Sequence, residues 1–427
     1  MSRDAIPVTI LSGSLGAGKT TLLNHLLRSA GDRDIAVLVN DMGEINIDAE
    51  LVSENSELAV EGGVTELSNG CICCELQDDL ETAVVRLANG REFDHLVVEA
   101  SGISEPEPIA KLFTTGSRAA AKYDVDSLVT VVDSRLFYDT FEGDDVPRRR
   151  GADDDGTRPL SDLLVEQVEF SNVVVLNKRD LVTAEELATV EELVSALRPD
   201  AEILVTEHSA VDPADLLGRG LYDPATAAEQ AGWKRLLDAD DDADHESGGH
   251  DDHGHGGEDH GHDGHDGHDH HGHSHPEEEY GVDSFVFRSR RPLHPGRFEA
   301  FLADLPASVV RSKGVFWAAG REETLLSYGQ AGPSARVEAT GQWVASLPEF
   351  EQDAYRRNRP DMEWDEEWGD RRTELVFIGV GLPEEDLRAE LEACLLTDGE
   401  MGADWSAFEN PFPSAVAETL VVTEPTP

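Results

Sequence analysis

The stretch Ile6-Pro7-Val8-Thr9-Ile10-Leu11-Ser12-Gly13-Ser14-Leu15-Gly16-Ala17-Gly18-Lys19-Thr20 decides the fold of the first half of the chain. Ile6 to Leu11 is an apolar run suited to a strand buried on both faces, and Thr20 to Leu27 carries the apolar period of an amphipathic helix. Between them Gly13 to Thr20 fits G-x-x-x-x-G-K-[ST], in the strand-to-helix position this pattern requires. Glycines there let main-chain N–H groups curl around phosphate oxygens, while the helix turns its positive end toward them. Gly13, Ser14, Gly16, Ala17 and Gly18 are the expected cradle, followed by Lys19 on the β/γ charge, Thr20 as a magnesium ligand and Thr21 beside it.

Further short runs rich in Val, Ile and Leu follow at Asp34 to Val39, His95 to Glu99, Leu128 to Val132, Val173 to Leu176 and Ala201 to Val205. Helical periods such as Glu185 to Leu197 separate them. Residues 1–225 therefore predict an α/β domain, a doubly wound and mostly parallel sheet with ligands at the carboxyl ends of its strands. Glu142 to Pro159 has turn formers and charge but no apolar period, and reads as a solvated acidic insert.

Residues 226–280 read as a linker. Within it Asp238 to Glu279 holds twelve of the sixteen His, sixteen carboxylates and no Lys or Arg. So few apolar residues cannot offset the entropy of ordering, and the segment is expected to be disordered. From residue 281 to 427, strands at Val282 to Arg288, Val309 to Ala319, Thr324 to Tyr328, Ala335 to Thr340 and Glu374 to Val380 join helical periods at Pro295 to Leu305 and Glu384 to Leu395. They predict a smaller α+β domain, antiparallel in large part. Cys394 falls on an apolar helical stripe and reads as a core residue.

The 427 residues carry 88 Asp plus Glu against 34 Lys plus Arg, a formal charge of −54. That balance argues against nucleic acid and anionic membrane as partners. The sixteen carboxylates of the His-rich segment are under a third of the excess, so the whole surface is acidic. Such self-repulsion is screened when the Debye length falls to about 3 Å near 1 M salt, and a salt-rich, halophilic cytoplasm would explain it. No apolar run reaches 18 residues, and the opening residues lead straight into a strand, which predicts a cytoplasmic protein.

Asn177-Lys178-Arg179-Asp180 follows a predicted strand, where an N-K-x-D base-reading loop belongs. The Asp180 carboxylate can accept from both the ring N–H and the exocyclic amine of guanine, and adenine offers no matching pair, so GTP is expected over ATP. Glu99 ends the third strand with Gly102 three residues on, the position from which a phosphate-loop enzyme holds magnesium or senses the γ-phosphate. Asn40-Asp41-Met42-Gly43-Glu44 and Asp48 follow the second strand as a first switch loop whose carboxylates would meet magnesium or a second metal. Lys19, Glu99 and Asp48 are the expected catalytic residues.

Gly70-Cys71-Ile72-Cys73-Cys74 brings three soft sulfurs within reach of one ion, a preference for zinc or copper(I) over magnesium and calcium. Three thiolates leave room for a fourth ligand, for which Asp41 and Glu44 are candidates. Buried structural cysteines and a redox dithiol are the alternatives. In the linker His253, His255, His260, His262, His265, His268, His270, His271, His273 and His275 offer many weak, exchangeable sites that should weaken as pH falls. A flexible segment of that length spans roughly 35 Å, enough to reach a metal site elsewhere.

A phosphate loop, a G-C-x-C-C cluster, E-x-x-G, N-K-x-D, a His-rich linker and a second α/β domain together resemble the CobW-type P-loop GTPases, a family of metal chaperones. Leu293-His294-Pro295-Gly296-Arg297-Phe298, Arg311-Ser312-Lys313-Gly314 and Trp364 to Gly379 look like that family's carboxy-terminal domain, closest to the zinc-responsive YciC-related subgroup. The likeness covers nearly the whole chain. It implies a GTP-hydrolysing metallochaperone that binds zinc at the cysteines and delivers it to a client metalloprotein under nucleotide control; a homodimer is a further possible assembly. Cobalt for corrin synthesis, or nickel or iron, are alternative cargoes, and a His-rich metal buffer is the alternative of another class. The family commonly has Asn-Glu-Phe-Gly where this chain has Asn40-Asp41-Met42-Gly43, so a carboxylate at Asp41 sits one methylene short. The motifs contain no water-orienting Gln and no arginine finger, so unaided hydrolysis is expected on the order of 10⁻⁴–10⁻² per second.

Overall fold

The computed structural model of the chain describes residues 5–31, 33–39, 64–66, 74–104, 106–114, 116–142, 159–224, 226, 231–237, 282–359 and 362–424, with main chain alone at 64–66 and 74–79. The amino-terminal half is built on seven strands, β1 (Ile6–Gly13), β2 (Ile35–Val39), β3 (Val64–Glu66), β4 (His95–Glu99), β5 (Tyr123–Asp133), β6 (Val173–Asn177) and β7 (Glu202–Val205). They lie in the order β3-β2-β4-β1-β5-β6-β7, and every neighbouring pair is parallel.

Helices cover both faces, and for that reason the strands read as unbroken apolar runs. Ile10, Ala36, Leu38, Leu96 and Val98 pack on one side with Leu80 and Val84 of the helix Cys74–Gly90 and Ile109 of Glu107–Thr114. Leu11, Val37, Val39, Val97 and Val131 point the other way, onto Leu22, Leu23 and Leu26 of the helix Lys19–Ser29. Adjacent residues thus serve opposite cores, as the two-residue strand period demands.

The second half carries β8 (Val282–Ser289), β9 (Val309–Phe316), β10 (Thr324–Ala331), β11 (Ser334–Gln342), β12 (Thr373–Val380) and β13 (Thr419–Thr423). Their order is β13-β11-β10-β9-β12-β8, antiparallel throughout. On one face Phe285, Phe287, Phe316, Leu375 and Phe377 pack under the helices Pro295–Ala303 and Glu384–Cys394, with Phe298, Leu391 and Cys394 between. Cys394 is thus in the core, where burial pushes its thiol up to about 11.

The other face of this sheet is apolar as well, because it docks on the first domain. Val282, Val286, Val376 and Ile378 meet Ala196, Trp233, Leu236 and Leu237, while Val310 and Ala331 enter a core formed by the helices Ser134–Phe141, Leu160–Glu169 and Ala184–Leu197. At the centre of the contact Arg311 holds Glu169 through two bonds, Nε to Oε1 at 2.8 Å and Nη2 to Oε2 at 3.1 Å. Both side chains are only 5% exposed. Beside them Lys313 lies over the Trp233 ring at 4.6 Å, and burial pushes its ammonium down.

Among the described residues every neighbouring pair of the first sheet is parallel and every pair of the second antiparallel, in line with the expected mostly parallel α/β domain and largely antiparallel α+β domain. Two short edge strands, β3 and β13, and the helices that flank residues 142–159 were not legible, because three to five edge residues carry too little periodicity to register. Removing one partner of a buried pair strands the other charge, at about 3–5 kcal/mol. Arg311→Ala is accordingly expected to lower unfolding stability by about that amount, measured as the shift in urea midpoint, with little change for Arg357→Ala on the exposed helix Glu349–Asn358.

Candidate functional site

Because all seven strands of the first sheet run the same way, their carboxyl ends form one row. Register places Glu66 beside Val39, Val39 beside Glu99, Glu99 beside Leu11, Gly13 beside Val131, and Asp133 beside Asn177. Among the described residues, the phosphate loop, Glu99 and Asn177 therefore meet along one row.

The loop between β1 and the first helix turns on Gly13, Gly16 and Gly18, all at positive φ. Gly18, at φ 115°, caps the helix, and a side chain there would strike Asn177 Nδ2 at 2.4 Å and Ser209 Oγ at 2.6 Å. Lys19 is buried and folds across the loop, its Nζ donating to the carbonyls of Gly13 at 2.9 Å and Ser14 at 3.2 Å. Ser14 Oγ is buried with no hydrogen-bond partner among the described residues. Ala17 is buried and Thr21 is exposed at the start of the helix.

Thr20 donates its hydroxyl to Glu99 Oε1 at 3.4 Å, so the loop and the end of β4 are in direct contact. Glu99 is 2% exposed. Past it the chain makes a tight turn, Ser104 donating to the Ser101 carbonyl through both its N–H at 3.1 Å and its hydroxyl at 2.9 Å. Gly102, in that turn, lies so close over the loop that a Cβ would sit 2.8 Å from Leu15 N and 3.2 Å from Lys19 Nζ. A glycine at position 102 is thus favoured sterically.

Asn177 ends β6 and bridges two loops. Its Nδ2 donates to the Ala17 carbonyl at 2.7 Å and its Oδ1 accepts from Ser209 N at 2.8 Å. Ser209 also donates its hydroxyl to the Gly18 carbonyl at 3.1 Å. Lys178, at φ 61°, reaches Asp133 Oδ2 at 2.6 Å, and Asp180 is exposed in the short 3₁₀ turn Arg179–Leu181. Sequence reasoning missed Ser209 and Asp133. Both sit just past or at a strand's carboxyl end, and that position alone could have flagged them.

Asp41, Glu44, Asp48, Cys71, Cys73 and the ten linker histidines from His253 to His275 lie outside the described residues, as does the insert from 143 to 158. Cys74 opens the helix Cys74–Gly90. Among the described residues no group of three or more His, Cys, Asp and Glu is placed to hold a metal ion, and no helix is long and apolar enough to cross a membrane.

Residues 7–205 match the family described as CobW/HypB/UreG, nucleotide-binding domain, and residues 282–395 match the cobalamin synthesis protein cobW C-terminal domain. The zinc-regulated GTPase metalloprotein activator 1 of Dictyostelium discoideum is 37% identical over 440 residues, covering 96% of this chain and 84% of that protein. The chain belongs to the CobW/HypB/UreG family of P-loop GTPases. Two further family relatives align along most of their length. The zinc chaperone CobW of Sinorhizobium sp is 28% identical over 402 residues, 91% of this chain and 97% of its own. The zinc chaperone YjiA of Escherichia coli (strain K12) is 25% identical over 393 residues, with 90% and 97% covered.

In this family member the close approach of Gly102 to the loop gives a direct test. Gly102→Ala must push the turn off Leu15, and is expected to slow GTP hydrolysis by about tenfold or more, read as phosphate release, while the unfolding midpoint stays near that of the native chain.

Proposed function

We propose that the protein is a GTP-dependent zinc metallochaperone, loading zinc at Cys71, Cys73 and Cys74 and passing it to a client protein. The observation that carries this reading is the contact between Thr20 and Glu99 in the same row of strand ends from which the cysteine segment departs. Glu66 and Cys74 are the described residues on either side of that segment. Glu66 lies two strands from Glu99, about 10 Å at the usual strand spacing. Cys71 is three residues from the start of the helix, so its Cα is within about 11 Å of that of Cys74. A thiolate site there would share a sheet edge with the γ-phosphate sensor.

The residues fit magnesium and GTP. Thr20 and Glu99 pair two hard oxygen donors, the glycine loop leaves room that a Cβ would fill, and the buried Ser14 hydroxyl faces no protein partner among the described residues. Magnesium, when bound, would neutralise charge on the transferred phosphoryl group. Lys19 would exchange its carbonyl contacts for phosphate oxygens. Asn177 would keep the phosphate loop and the Ser209 loop in one frame while Asp180 accepts from guanine.

The relatives named for zinc support the cargo, and thiolate ligands favour zinc over harder ions. Nucleotide control then amounts to linkage, in which GTP and zinc each alter the affinity of the other. The deciding experiment measures zinc retained by the full-length protein with a GTP analogue, with GDP and with no nucleotide. About one tight equivalent is expected to depend on nucleotide state, and Cys73→Ala is expected to abolish that dependence; equal zinc in all three states would sink the reading. Asp180→Ala is expected to weaken GTP about ten- to hundredfold, the worth of a charge-assisted hydrogen bond, in competition titrations with a fluorescent guanine nucleotide.

A further inference from the structure

The second-switch turn is held from behind by a residue with no assigned role. Gln167, 1% exposed on the helix Leu160–Glu169, donates its Nε2 to the Ser104 carbonyl at 3.3 Å. Its main-chain carbonyl accepts from Thr130 Oγ1 at 2.9 Å and Ser171 Oγ at 2.7 Å. Thr130 Oγ1 in turn lies 3.3 Å from Ser12 Oγ, the residue before Gly13. One residue is thereby bonded toward the strand that launches the phosphate loop and toward the turn that covers it.

Gln167 Oε1 is buried with no hydrogen-bond partner among the described residues. Such an acceptor is costly to leave unpaired, and any shift of the Ser101–Ser104 turn that offers it a donor recovers that cost. The group is therefore poised to favour a second arrangement of the turn.

Two residues further on, the same helix ends in Glu169, locked to Arg311 of the carboxy-terminal sheet. At its start Asp162 accepts from Ser334 Oγ at 3.2 Å. A helix gripped at both ends by the second domain cannot slide without moving that domain, because packed interfaces shift between discrete arrangements. We propose that Gln167 is the positioning residue that sets the second-switch turn against the phosphate loop, and that the helix Leu160–Glu169 ties its position to the docking of the carboxy-terminal domain. The proposal rests on the reading of Ser101–Ser104 as a GTPase switch.

The test is steady-state GTP hydrolysis by full-length protein. Gln167→Met removes the donor and the stranded acceptor together but leaves the Ser104 carbonyl without its donor, so a merely structural role predicts a lowered unfolding midpoint with kcat unchanged. The positioning role predicts kcat lowered about tenfold with KM changed less than about twofold. The pair Glu169→Met with Arg311→Met, an exchange that often leaves stability near neutral, should lower kcat similarly, and the triple variant should be no slower than Gln167→Met alone. Unchanged kcat in Gln167→Met, or effects that multiply in the triple variant, overturns the proposal. Should the native chain itself hydrolyse no GTP, the GTPase reading fails instead. Hydrogen exchange on the native chain needs no variant. Peptides spanning 100–104, 160–169 and 309–331 should change protection together between GDP and a GTP analogue, and a change confined to 100–104 is the contrary result.

Discussion

Parallel strand direction is the constraint on which the candidate site depends. A parallel sheet needs a crossover for every strand, so each strand delivers its last residue to the same row and each strand-to-helix loop opens at that row. Glu66, Val39 and Glu99 come from separate segments yet register makes them neighbours, as it does Asp133 and Asn177, with Gly13 beside Val131 in the same row. Main-chain bonds thus do most of the positioning, and side-chain bonds such as Asn177 to Ala17 lock loops already brought close.

The second sheet solves a different problem. An antiparallel sheet ordinarily turns one face to water, but here alternate residues of β8 and β12 serve two apolar cores, one beneath its own helices and one against the first domain. The buried pair Arg311–Glu169 sits within the latter. Taking both ions out of water costs several kcal/mol each, so the pair adds little net stability over apolar residues of the same size. What it adds is register. Two apolar faces can slide, whereas a bidentate carboxylate–guanidinium pair admits one alignment, and Arg311 also donates to the Gln330 carbonyl at 3.2 Å.

Legibility in the sequence followed the same division. The strands Ile6–Gly13, His95–Glu99 and Val173–Asn177 are short apolar runs between helical periods, and the phosphate loop and N-K-x-D carry their own spacing, so the first domain and its nucleotide motifs were readable from residue order. The contact of Thr20 with Glu99 was implied by motif logic, but the grip of Ser209 on Gly18 was not, since 191 positions separate them and neither residue type is distinctive. Gln167 gave no signal at all. A lone Gln on an apolar helix looks like a surface position until the fold buries it beneath the turn at Ser104.

A chain of formal charge −54 that takes a polyanionic substrate must overcome its own field. Among the described residues, Lys19 spans the phosphate loop and Lys178 is already paired with Asp133. The attraction must therefore come from short-range sources, namely the N–H groups of the glycine loop, the amino end of the helix Lys19–Ser29, the Lys19 ammonium and a bound cation. These act over a few ångströms in a site shielded from solvent, where salt screens little. The repulsion from carboxylates spread over the acidic exterior is screened over a Debye length of about 8 Å in physiological salt and about 3 Å near 1 M. Rising ionic strength therefore removes the opposing term faster than the favourable one. An acidic exterior and an anion-binding loop coexist because the two fields work at different ranges.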